Sequence, residues 1–202
     1  MGCIPSLRAT LAATLAGLAL LATAACTPET GAGRESEPAA ATVSGPAVRF
    51  TAAAAGPVTP GTAYSAQALR ALLPGFEVKP IQTATEADVT SALAAFSGGL
   101  QVMQFIRGSD GKIGQVFGVS PLTVGPAGER LGMTLSQLGI PRQSCRMGGE
   151  LWTDMAICPS RGAANVSLVF AVPQYRGPLD QLPPAAELAG AELQRLIWRP
   201  AR

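Results

Sequence analysis

Histidine is absent from this 202-residue chain, which removes most of the catalytic constellations a sequence can display. Without an imidazole there is no ordinary general base near neutral pH. Neither a Ser-His-Asp nor a Cys-His nucleophile can be assembled. Glu150 and Asp154 stand four residues apart, a carboxylate pair of the type used in glycoside hydrolysis, but on a stretch that reads as exposed loop, where solvated charges are expected. The only two lysines are Lys79 and Lys112. One lies near a strand end and the other just after a turn, which are ordinary solvent positions and not settings for a serine–lysine dyad. Gly108-Ser109-Asp110-Gly111 contains glycines but lacks the Lys-Ser/Thr that completes a phosphate loop, so it reads as a turn. Cys145 and Cys158 supply two thiolates where a zinc site takes about four N or S ligands, and they lack the C-x-x-C redox spacing. The sequence predicts a protein that is not an enzyme and that carries no metal and no cofactor.

The cysteine with the most defined chemistry is Cys26. It follows an apolar run from Leu11 to Ala25 that is preceded by Arg8 and the chain's amino group. A positive start, an apolar middle and small residues before the break make a secretory signal. The run is too short and too rich in Ala to span a bilayer, which takes about 20 strongly apolar residues. Ala24 and Ala25 directly before a cysteine resemble the lipobox of bacterial lipoproteins, and that resemblance implies an acylated Cys26 as the first mature residue. Thr23 departs from the pattern, which usually has Leu there. The alternative is an ordinary signal cut near Ala25, with Cys26 a plain thiol. Thr27 follows the cysteine. In lipoprotein sorting of enteric bacteria an Asp at that position retains the protein in the inner membrane, so the expected location is the outer membrane, facing the periplasm. Cys3 leaves with the signal. Cys145 and Cys158 are then an even pair in an exported chain and read as one disulfide, closing a loop of about 14 residues.

Composition fits that location. Hydrophobic residues make up 48% of the chain and charged residues only 14%. The apolar fraction is ample for one core, although much of it is small Ala. Loss of Arg8 takes the 15 basic residues down by one, against 13 acidic ones. A near-neutral chain with scattered Arg has no footprint for nucleic acid and no polybasic cluster for anionic lipid. Membrane attachment is left to the acyl chains on Cys26, and stable anchoring takes more than one of them. The expected organisation is a signal at residues 1–25, the lipidated cysteine and a flexible tether at 26–47, and a single domain at 48–202. The tether has no apolar periodicity and no aromatic residue, so it reads as disordered; some 20 such residues reach about 25 Å. The sequence does not set the oligomeric state.

Within the domain, Val48–Thr51 reads as a first strand. Thr62 is placed to cap a helix over Tyr64–Leu73, which Pro74-Gly75 stops. Phe76–Ile81 alternates with period two and reads as a strand, and Pro80 makes it an edge strand or ends it early. Val89–Phe96 is open between helix, from its alanines, and strand, from the alternation of Val89, Ser91, Leu93 and Ala95. Leu100–Ile106 and Lys112–Val119 are strands around an Asp-Gly turn, the strongest hairpin signal in the chain. Thr134 and Gln137 have capping-box spacing before Gly139, which predicts a short helix. Cys145–Cys158 reads as a stapled hairpin with Trp152 near its tip. Val166–Val172 is a strand, Tyr175–Pro184 a loop, Ala185–Ala189 one helical turn, and Leu193–Trp198 a last strand.

Taken in order, several of these features resemble the RpoE-regulated lipoprotein family, proteobacterial envelope proteins whose domain has no assigned biochemical function. They are the lipoprotein signal, Leu72-Leu73-Pro74-Gly75 before a strand, the Asp-Gly hairpin, Gly132-Met133-Thr134, the Cys145 and Cys158 pair, Arg176-Gly177-Pro178, Leu182-Pro183 and Ile197-Trp198-Arg199. The resemblance spans roughly Pro57 to Arg199. It implies an α+β domain on a mostly antiparallel sheet with one or two short helices and one intradomain disulfide, behind a cleaved signal and a disordered tether. It also tips Val89–Phe96 toward strand and ties expression to envelope stress. It carries over no catalytic residues.

Two binding readings follow. One is an interaction or scaffolding module with an envelope protein partner, for which Trp152, Tyr175, Arg176 and Trp198 are candidate contact residues, since Trp, Tyr and Arg dominate interface hot spots. The plainer roles are that Trp152 covers the disulfide and that Arg176-Gly177-Pro178 fixes a loop. The other reading is a small apolar or lipid ligand held between the sheet and the Tyr64–Leu73 helix.

Overall fold

The computed structural model describes residues 45–201, all within one compact unit; the signal, Cys26 and the tether up to residue 44 lie outside the described residues. In chain order the elements are β1 (Val48–Arg49), α1 (Ala66–Leu72), β2 (Glu77–Ala84), β3 (Val89–Ser97), β4 (Leu100–Arg107), β5 (Ile113–Gly118), β6 (Thr123–Val124), β7 (Arg146–Met147), β8 (Met155–Ser160), β9 (Ala163–Ala171), α2 (Ala185–Ala189) and β10 (Glu192–Trp198). The fold is α+β, on an eight-stranded sheet in the order β2-β3-β4-β5-β10-β9-β8-β7, every pair of which is antiparallel. The chain lays down β2 to β5 from one edge inward and β7 to β9 from the other edge inward. β10 then fills the gap between β5 and β9. β1 and β6 form a separate parallel pair.

Alternation sorts the strand residues onto two faces. Leu196 and Trp198 of β10, Val116 of β5 and Leu168 and Phe170 of β9 face the main core, together with Phe50, Leu69 and Leu73. Ile197, Phe117 and Val169 face the other way, into a smaller cluster with Ala92, Ile106 and Ile157. Trp152 folds over this second face, with its ring 5.9 Å from that of Phe117.

Most expected elements form. β2 is an edge strand, and exposed Pro80 sits within it, where a missing N–H is tolerated. Val89–Ser97 is a strand, because a nine-residue partner between β2 and β4 buries its alanines on both faces, Ala92 in the second cluster and Ala95 in the main core. The helix α1 is shorter than expected, and Ser65 caps it, not Thr62. Ser65 is extended and its hydroxyl accepts from Ala68 N at 3.1 Å, whereas Thr62 is buried and its oxygen accepts from Thr59 N in the preceding turn. The expected helix at Gly132–Gly139 is a single turn. Its capping box does form, with Thr134 N donating to Gln137 Oε1 at 2.9 Å and Gln137 N to Thr134 Oγ1 at 3.3 Å. Gly139, at φ 59°, closes the turn before a second one can follow.

Candidate functional site

Cys145 and Cys158 form the disulfide. It joins the residue before β7 to β8 across the hairpin, with Cys158 buried in the main core. Trp152 does not cover it. The 3-10 turn Glu150–Trp152 at the hairpin tip carries the indole onto the opposite face of the sheet. Glu150 and Asp154 are exposed. Cys26 lies outside the described residues.

The four candidate contact residues separate sharply. Trp198 is fully buried and Trp152 is 4% exposed. Both are core side chains, which corrects the expectation that they present a surface. A central strand position and a hairpin tip folded over the sheet take the large aromatic side chains inward. Tyr175 is half-buried and Arg176 is exposed. These two sit together on the loop after β9, which is stiffened from within. The Arg176 guanidinium donates to Pro173 O at 2.7 Å and to Tyr175 O at 3.1 Å. Gly177 lies so close under the Tyr175 ring that a Cβ there would overlap the phenol. At the far end Arg142 donates to Pro183 O and Leu182 O, both at 2.7 Å. The loop so held presents Leu179, 63% exposed, at its surface. Leu179 had no distinguishing sequence signal, because exposure of a single Leu in a Pro-rich loop depends on how the loop is tied.

A second group of residues gave no local signal either. Glu86, in the β2–β3 turn, reaches the opposite end of the sheet. Arg146 grips it with both terminal nitrogens (Nη2–Oε2 2.8 Å). Gly149 N donates to its carboxylate at 2.9 Å and Leu151 N to its carbonyl at 3.1 Å. The two end hairpins of the sheet are thus clasped together. The hydrogen-bonded Arg146 guanidinium, helped by the Gly149 N–H, holds the Glu86 carboxyl below its ordinary value despite partial burial. Beneath the clasp Arg195 lies over the Phe117–Trp152 pair, 4.9 and 5.0 Å from their ring centres, and donates to Ala84 O at 3.3 Å. Burial pushes its pKa down. Buried Glu129 accepts from the Ser160 hydroxyl and from Ala127 N, which pins the loop after β6 to β8.

Two concavities bear on ligand binding. The apolar groove beside α1, lined by Pro46, Val48, Leu72, Leu73 and Phe76, holds about 230 Å³, below the roughly 300 Å³ at which small-molecule sites begin. Leu69 and Leu73 are buried and pack this part of the chain onto the core. The larger cavity, about 890 Å³, lies elsewhere, between the β4–β5 turn and the residues after β10.

No family model matches the chain, and no curated protein matches it. Among solved structures, the crystal structure of the uncharacterized protein YfeY from Escherichia coli is similar. Its TM-score is 0.59 at 19% identity, over 76% of this chain and 99% of that one. The likeness is one of fold.

Proposed function

We propose that this protein is a non-catalytic, lipid-anchored module of the bacterial envelope. Anchored through Cys26 at the periplasmic face of the outer membrane and produced under envelope stress, it presents the Tyr175–Leu182 loop to a protein partner. The observation that carries the reading is that loop. It is ordered by its own hydrogen bonds, so little side-chain and backbone entropy is lost on docking. It also offers an exposed Leu179 beside the exposed Arg176, an apolar anchor next to a cation. A partner with an apolar dent flanked by a carboxylate complements it. The absence of His from the chain supports a non-catalytic role.

The test is crosslinking in stressed cells, followed by capture of the tagged protein and mass spectrometry. The unmodified protein is compared with Leu179→Ser and Arg176→Ala, and Cys26→Ser serves as the anchor control. One partner near stoichiometry, lost with Leu179→Ser and with Cys26→Ser, is expected. The same partners recovered undiminished from Leu179→Ser would end the loop reading.

A further inference from the structure

We propose that the cavity between the Gly108–Lys112 turn and the residues following β10 binds a small ligand through an oxyanion, a phosphate or carboxylate group. At about 890 Å³ the space lies within the ordinary range for small-molecule sites, roughly 300–1,000 Å³.

The chemistry of its walls is that of donors. Arg199 lines the cavity and is half-buried. Its guanidinium carries five N–H donors, and among the described residues its only hydrogen bond is a 3.5 Å contact from Nη1 to Ser167 Oγ. The carboxylate that acts on it through space is Glu86, but Arg146 already holds both oxygens of that group. Charged groups withdrawn from water are ordinarily paired, so Arg199 has donor capacity to spare. Its backbone is fixed by Asn165, which accepts from its N–H at 2.9 Å and donates from Nδ2 to its carbonyl at 2.7 Å.

The register between β5 and β10 pairs Trp198 with Val116, so its continuation places Gln115 opposite Arg199, on the same face of the sheet. The Gln115 side chain makes no hydrogen bond among the described residues and also lines the cavity. Lys112 contributes a second cation, with no ion pair among the described residues. The turn brings further donors. No acceptor within the described residues meets the amides of Ser109 and Asp110. The turn can come this close because Gly114 is a bulge residue that lies against Gly108; a Cβ on Gly114 would sit 2.8 Å from Gly108 Cα. Asp110 is the opposing charge in the lining. One of its oxygens accepts from Lys112 N at 3.1 Å. Two cations against one carboxylate leave a net attraction for one oxyanion and disfavour a polyphosphate. A planar guanidinium fork fits carboxylate or phosphate oxygens in pairs.

The experiment is an NMR titration of the isotopically labelled full chain with inorganic phosphate, and separately with acetate, at constant ionic strength set by chloride. Saturable shifts are expected at the amides of Ser109, Asp110 and Gly111, the Gln115 side-chain amide and the Arg199 Nε–H. Arg199→Gln is expected to weaken binding about tenfold or more, the loss of one charge-assisted pair. Lys112→Gln should weaken it less, and Arg176→Gln not at all. Linear, unsaturating shifts, or equal affinity in Arg199→Gln, would mean an adventitious ion only and overturn the site. If Arg199→Gln does not fold, Lys112→Gln together with Gln115→Leu carries the same test. Vesicles of phosphatidylglycerol and of phosphatidylcholine distinguish the source. Shifts at these residues with the anionic vesicles alone assign a lipid headgroup; shifts with free phosphate and none with either vesicle assign a soluble ligand.

Discussion

Replacing Cys145 and Cys158 together by Ala tests whether the staple or the sheet holds the end of the domain. The bridge spans a sequence separation of 13 residues. Constraining a loop of that size in the unfolded chain is worth about 3 kcal/mol on the chain-entropy account. β7 is only two residues long and pairs on one side alone, so little else keeps it in place. Arg146, the first residue of β7, is also one half of the clasp with Glu86. Loosening β7 therefore removes part of a partly exposed ion pair as well, worth about 1 kcal/mol or less. For a domain of this size each kcal/mol moves Tm by about 2–4 °C, so the variant should melt roughly 6–15 °C lower. Calorimetry of the unmodified protein, the same protein reduced, and the double variant measures it. The reduced protein and the variant should agree, because both lose the same crosslink. Hydrogen exchange should show the loss of protection concentrated at Gly148, whose amide donates to Met155 O at 2.8 Å, and at Arg146, the next position that faces β8 in the alternating ladder, with the β4–β5 pairs changed little. A drop below about 2 °C, with β7 amides still protected, would refute the reasoning and mean that strand pairing and the clasp suffice without the bridge.

Three further outcomes follow from the second face. Glu86→Gln should cost about 1 kcal/mol or less, since the pair is partly solvated, and a double-mutant cycle with Arg146→Met should recover most of that as coupling. The carboxyl of Glu86 is held below its ordinary 4.5, so its contribution is fully present above that value and is lost as pH falls through the depressed folded value. The urea midpoint difference between the unmodified protein and Glu86→Gln should accordingly be flat above about pH 5 and shrink below 4.5; a difference that grows on acidification contradicts the clasp. Arg195→Ala should lose about 2–4 kcal/mol, combining two aromatic contacts with a charged donor to Ala84 O. Arg195→Lys should restore less than half of it, because an ammonium neither stacks flat nor forks; equilibrium unfolding within 0.5 kcal/mol of the unmodified protein (about the noise of such measurements) would show the guanidinium to be idle.

What could be read from the chain was what is local. Period-two alternation, the Asp-Gly turn and Pro80 each specify a strand or its edge within a few residues, and those elements are present. The capping box of Thr134 and Gln137 was legible as chemistry, and its two hydrogen bonds form. It failed as a forecast of length, because a cap fixes where a helix starts and Gly139 fixes where the chain must leave. Val89–Ser97 was undecided by propensity, since alanine favours a helix. What decides is that Ala92 and Ala95 are buried on opposite faces, which requires knowing that strands lie on both sides.

The residues that set the shape of the second face were out of reach for the same reason. Glu86 and Arg146 are 60 residues apart, and nothing near either one names the other. Trp152 and Trp198 had the residue type of a contact surface, but the same bulk that makes an indole a good anchor makes it a good core filler. Which role it takes is settled by strand order, and strand order here depends on the last strand entering the middle of the sheet. β10 and the residue that follows it deliver Trp198 to the main core, Arg195 to the aromatic pair beneath the clasp and Arg199 to the larger cavity. The alternation of β10 predicted two faces, but not that both would be covered. A single strand laid down last and paired on both sides therefore couples the hydrophobic core to the two half-buried arginines. A change in β10 that shifted its register by one residue would exchange their faces and bury guanidinium where Leu196 and Trp198 now pack.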